Sequence, residues 1–310
     1  MLSVADGSRM EPEPTVLAGI EGRLPPAIAA KAEADGVAKA GQDAITLLTL
    51  GVLGGAFIAF GAIFSNVALT GAEALPFGLA RSIAGMVFTV GLALVLVGGA
   101  QIFTGDVLMV MAWASGRLGA LRVLRAWGLV WIGNLAGALG TALLVLLAGH
   151  HLFGSGQVGV TALRTAEAKA ALPFDRAFIL GVLCNTLVCL AVWLSLSSRQ
   201  PAHRVLVILL PIAAFVAAGF EHTVANMYFI GFGLLAIGAV DAGRIFQPRP
   251  CWLCTQPVGG DAWQHRWRSH TGRGCLLAPV SAPAGGDDAG ALANSVDGRS
   301  PLQAHALLHS

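Results

Sequence analysis

The sequence predicts an all-α, polytopic membrane protein whose spanning helices include two that are interrupted. Three observations carry this. Of 310 residues, 55% are hydrophobic and only 12% charged, and the mean hydropathy is +0.73; a soluble domain of this length could not cover so much apolar surface. The apolar residues fall in long, nearly uncharged blocks between Ala44 and Val240. Two of those blocks are too long for one crossing, for which about 20 residues suffice, and each contains a short polar interruption.

The elements follow in chain order. Residues 1–44 form an N-terminal segment. Its stretch Leu24 to Ala40, LPPAIAAKAEADGVAKA, reads as a short amphipathic helix opened by Pro25 and Pro26. It is either an interfacial helix or gate on the cytoplasmic face, or a plain surface helix. Residues 45–240 hold five spans. Span 1 runs from Ile45 to Leu69, span 2 from Phe77 to Ser115, and span 3 from Ala126 to Ala148. Span 4 covers Phe174 to Ser197, and span 5 Val205 to Val240. Phe103-Thr104-Gly105-Asp106 interrupts span 2 and Phe220-Glu221-His222-Thr223 interrupts span 5, so both are expected to be broken near mid-membrane. Residues 241–310 are a polar tail rich in Gly, Ala, Pro, Arg and His.

Lysine and arginine counts orient the spans. With the N-terminus cytoplasmic, inside segments carry Arg9, Arg23, Lys31, Lys39, Arg117, Arg122, Arg125, Arg199 and Arg204. Outside segments carry Arg81, Arg164, Lys169 and Arg176, so nine against four favour that orientation. Trp113, Trp127, Trp131 and Trp193 fall near span ends, where aromatic anchors are common. A net charge of +2, scattered along the chain, argues against nucleic acid as a partner. The first 40 residues have no signal-peptide pattern, so span 1 is expected to direct insertion. Cys184 and Cys189 read as small buried hydrophobes.

Ionisable side chains are expensive inside a bilayer, by about 2.5–3.5 kcal/mol on insertion scales. Here they gather at the two interruptions: Asp106 at the first, Glu221 and His222 at the second. His222, the histidine inside an apolar segment, reads as a protonatable group lining a pore; the alternative is an imidazole satisfied by a backbone carbonyl. Glu221 reads as a carboxylate that fixes a loop or the histidine, and Thr104 as a hydroxyl facing the pore. A half-helix presents unpaired N–H groups and partial positive charge at its N-terminal end, which suits an anion. Two breaks in corresponding halves point to a central site.

These residues resemble the formate/nitrite transporter family. The likeness rests on VGGAQIFTGDVLMVMAWASGR (Val97 to Arg117), IGNLAGAL in span 3, GVLCNTLVCLAVWL (Gly181 to Leu194) and LLPIAAFVAAGFEHTVANM (Leu209 to Met227). It extends from about Leu24 to Val240. The resemblance implies an aquaporin-like inverted-repeat fold, a homopentamer with one pore per protomer, and transport of small monovalent anions such as formate or nitrite. The anion is expected to cross either protonated or in exchange with a His222 proton, in the bacterial inner membrane. An intramembrane enzyme using Glu221 and His222 is disfavoured, because no nucleophile or metal-ligand set accompanies them, and no cofactor or metal is expected. By the same resemblance, Thr104 is the threonine of the first break and His222 the central histidine, with Glu221 and Asn226 beside it and Asn185 in span 4. Ile102, Phe103 and Val188 match the outer constriction. Leu92 and Phe215 match the inner one, with Phe88 close by. Lys169, in TAEAKA on the outer loop, matches a lysine that draws anions in. A constriction of apolar side chains penalises a bare anion and favours a neutral weak acid.

The sequence departs from the family after Val240. A sixth span with a second Gly-Asn segment like Gly133-Asn134 is expected and does not follow. A frameshift or a divergent tail would each account for this, and a frameshifted chain could be non-functional. Cys251-x-x-Cys254 with His265 and His270 approaches a zinc spacing, but the gap is short and the supporting apolar residues are missing. A neutral-solute channel of the same fold is the alternative function, disfavoured by the absence of paired Asn-Pro-Ala signatures.

Overall fold

The computed structural model describes residues 22–236, and these form ten α-helices with two short 3-10 turns. The expected tail, its Cys/His group and any sixth span lie outside the described residues. Among the described residues, five helices are long and apolar enough to cross a membrane, in agreement with the five spans read from the sequence.

Helix α1 (Pro25–Ala40) starts on its two prolines, whose fixed φ suits a first helical turn. Asp43 caps α2 (Ala44–Leu69), accepting from the Thr46 N–H at 3.0 Å and its hydroxyl at 2.6 Å. Those bonds hold the Asp43 carboxyl below the usual carboxylate range. Helix α3 (Phe77–Gly98) runs back, followed by the half-helix α4–α5 (Phe103–Asp106 and Met109–Ala114) and by α6 (Ala120–Leu147). Then come α7 (Gln157–Ala170), α8 (Phe174–Ser197), α9 (Pro201–Ala218) and the second half-helix α10 (Thr223–Ala236).

Both breaks are made by the same device. Helix α3 ends at Gly99, with φ +75°, and α9 at Gly219, with φ +77°. In each case the next amide folds back five residues: Ala100 N–H donates to Val95 O, and Phe220 N–H to Phe215 O, both at 3.0 Å. This is a Schellman stop, in which a left-handed glycine satisfies the carbonyls at a helix end. The first interruption is therefore Gly99–Ile102. The tetrad Phe103–Asp106, expected as the break itself, is the first turn of the new half-helix. The second interruption is Gly219–His222, one residue earlier than expected, and Thr223 opens α10.

Two further expectations change. Span 3 begins six residues early, at Ala120. This half-buries Trp127, which donates from Nε1 to Asp106 O at 2.9 Å. The loop carrying Lys169 is largely the helix α7, preceded by Gly156 at φ +83°.

Helix α2 packs chiefly on α6 and α3, α3 on α9, and α10 on α6 and α7. The α2–α6 approach is backbone to backbone: a methyl group at Gly137 would sit 1.9 Å from Val52 O, and one at Gly55 2.1 Å from Asn134 O. Small residues allow this contact in membrane helices, where packing replaces the hydrophobic effect.

Candidate functional site

The two half-helices meet N-terminus to N-terminus. Thr104, in the first turn of α4, lies with its Oγ1 3.1 Å from Nε2 of His222, the residue before α10. Both side chains are buried. The Ala225 N–H donates to His222 Nδ1 at 3.0 Å, so the ring caps its own half-helix. An acceptor nitrogen carries no proton, so the hydrogen-bond pattern assigns the neutral ring a proton on Nε2, donated to Thr104 Oγ1. The Thr104 hydroxyl proton is then left to donate elsewhere.

Phe215 stacks on His222, with ring centroids 5.6 Å apart and planes at 16°. Phe88 meets His222 edge-on at 6.4 Å and Phe215 at 5.7 Å, and buried Leu92 follows one turn along α3. Ile102 and Val188 are buried around the first half-helix. Phe103 packs edge-to-face on Trp127 at 6.1 Å.

The Glu221 carboxylate makes its hydrogen bonds away from the His222 ring. It accepts from Lys169 Nζ at 2.9 Å and from Asn226 Nδ2 at 2.7 Å. Lys169, expected as an open lure for anions, is only 17% exposed along its side chain; it lies over the Phe229 ring, 5.3 Å from the centroid. Its charge is largely offset by Glu221. Asn185 does not contact His222 by hydrogen bond. It donates to Cys189 Sγ at 3.6 Å, in a groove of about 660 Å³ shared with Phe103, Val182, Trp193 and Thr223.

Phe88 and Phe215 gather about the His222 ring, whereas Phe103 packs against the cluster that holds Ala40, Leu47 and Met109.

A contact missed by sequence reasoning joins α1 to the site. Lys39 Nζ donates to Asp106 Oδ1 at 2.7 Å, and the Asp106 side chain is fully buried while Lys39 is 37% exposed. A buried carboxylate needs a partner, but only the fold shows that it is Lys39, the basic residue in the last turn of α1. Removing one partner of a buried pair costs about 3–5 kcal/mol, with the lower end expected for so exposed a lysine. Lys39→Met is thus expected to lower the thermal midpoint in detergent more than Asp106→Asn. An equal shift from both, read by melting of the purified proteins, would show that the charge is not held by this pair.

Both the order of the helices and the match to known proteins now point one way. The chain fits the family described as formate/nitrite transporter over residues 26–251. It belongs to the formate/nitrite transporter family. It is 42% identical over 212 residues to the formate channel FocA of Escherichia coli K12, covering 68% of this chain and 74% of that protein. It is 37% identical over 219 residues to a probable formate transporter of Methanothermobacter thermautotrophicus, covering 64% and 78%. Among solved structures it is similar to a pentameric formate channel with formate bound, at 30% identity and a TM-score of 0.63, covering 73% of this chain and 96% of that one. A second, an FNT family ion channel, aligns at 27% identity and a TM-score of 0.59, covering 67% and 83%. These formate/nitrite transporter relatives are named as channels and transporters, and the chain shares their multi-pass helical fold.

Proposed function

We propose that the chain is a channel for small monovalent anions, formate first and nitrite as a related substrate, moving together with protons past Thr104 and His222. The observation that carries the reading is the 3.1 Å Thr104–His222 contact where two half-helix N-termini face each other. Their dipoles favour negative charge from both sides. The His222 Nε2–H and the Thr104 hydroxyl supply donors in a space otherwise walled by Phe88, Phe215 and Leu92. Such walls penalise a naked anion and admit a neutral acid more readily, so entry should quicken as pH falls on the entry side. Asn226 and Lys169 act on the path through Glu221, and Asn185 from the adjoining groove.

In this reading each protomer of a homopentamer has its own path, in keeping with the pentameric solved relative and the many apolar side chains left uncovered on α8 and α9. The setting is the bacterial inner membrane, with α1 on the cytoplasmic side as the Lys/Arg count expects. The test is uptake of labelled formate into proteoliposomes holding the full chain, across a pH series. Expected is uptake above empty vesicles, competed by nitrite and faster at lower outside pH. Uptake no greater than that of empty vesicles would overturn the reading.

A further inference from the structure

We propose that Asn134 is the positioning residue that fixes where the first half-helix begins, and so where the Thr104 hydroxyl meets His222. This rests on the reading that the path runs past those two residues. Asn134 lies midway along α6 and has no exposed surface. Its Oδ1 accepts from the Phe103 N–H at 2.8 Å. Its Nδ2 donates to Gly51 O at 2.7 Å and Gln101 O at 2.9 Å. Both amide hydrogens are used, one on α2 and one on the loop of the break.

The Phe103 N–H is the first amide of a helix and has no acceptor within it. Asn134 supplies that acceptor from another helix, as a cap delivered across the bundle. The same side chain ties the preceding loop to α2, where the Gln101 N–H also donates to Leu50 O at 3.1 Å. The loop lies directly on α2: a methyl group at Gly54 would sit 1.9 Å from Gln101 O. Thr104 is the residue after Phe103, so any shift of the capped amide moves its hydroxyl. Among the described residues, the second break has no such side-chain anchor spanning it. Its backbone is held by the Glu221 N–H on Leu180 O at 3.4 Å, Arg81 binds Val216 O at 2.7 Å in the helix before it, and the Glu221 carboxylate is bonded by Lys169 and Asn226.

Two substitutions and a transport-independent readout test this. Asn134→Ala removes the three side-chain bonds to Phe103, Gly51 and Gln101. Asn134→Asp keeps the acceptor for Phe103, but its ionised carboxylate faces two carbonyl oxygens; once protonated it can donate to one of them. Cys189 reports on the break directly, because its thiol contacts Thr104 O at 3.8 Å. Maleimide labelling would use a background with Cys184→Ala, Cys251→Ser, Cys254→Ser and Cys275→Ser.

Per folded protein, Asn134→Ala is expected to lower formate flux about tenfold or more, to weaken preference for formate over lactate, and to speed Cys189 labelling. Asn134→Asp should recover flux, relative to the parent, as pH is lowered. A folded Asn134→Ala protein with parental flux, preference and labelling overturns the proposal. If Asn134→Ala does not fold, an Asn134→Asp flux that keeps a constant ratio to the parent across pH overturns it instead. Faster labelling in Asn134→Ala, in a protein whose parent moves no formate, would support the positioning role and sink only the substrate reading.

Discussion

Replacing His222 with phenylalanine is expected to cut formate uptake by about ten- to hundredfold, because a hydrogen bond to a charged group contributes about 1.5–3 kcal/mol. Phenylalanine fills the same space and can still stack on Phe215, which already lies 5.6 Å from the imidazole. It loses the Nε2–H facing Thr104 and the acceptor for the Ala225 N–H. The lost cap should cost about 1 kcal/mol of stability, too little to unfold the protein. Residual uptake should then follow the concentration of undissociated acid alone. His222→Asn offers a partial rescue, since a short amide can cap Ala225 and still present an N–H. Vesicle uptake across pH decides. A phenylalanine variant with parental rate and parental pH dependence would remove His222 from the path.

The second large effect concerns folding. Gly137→Val places a Cβ 1.9 Å from Val52 O and 2.9 Å from Ala56 N, both backbone atoms. No rotamer relieves such a contact, and overpacking of this kind costs upward of about 3 kcal/mol. Helix α6 would be pushed off α2, and with it the wall of the first break. The expected outcome is loss of the monodisperse peak in detergent. At Gly140, about one turn further on, an added Cβ meets nothing within 4 Å, so Gly140→Val should behave as the parent. Equal behaviour of the two variants on size-exclusion chromatography would contradict the close α2–α6 packing.

The spans were legible because each is a long apolar block. Span 4 coincides with α8 residue for residue. The breaks were legible as polar interruptions, but their bounds were not. Thr104, Gly105 and Asp106 look like a loop by polarity, whereas the stop is set by the backbone of Gly99, a residue unremarkable in a glycine-rich chain. His222 and Thr104 stood out as polar groups in costly places, and the structure brings them together. What could not be read were pairings between distant segments. Asp106 is 67 residues from Lys39 and Glu221 is 52 from Lys169, and nothing local in sequence records such contacts.

The head-to-head arrangement of α4 and α10 has a consequence for sodium, potassium and hydronium ions along the proposed route. Each would arrive at two positive helix ends, with His222 and Thr104 offering hydrogens in place of lone pairs, and with Glu221 and Asp106 already neutralised by lysines. On the proposed reading, the route would therefore turn these cations away while admitting a small anion or its neutral acid.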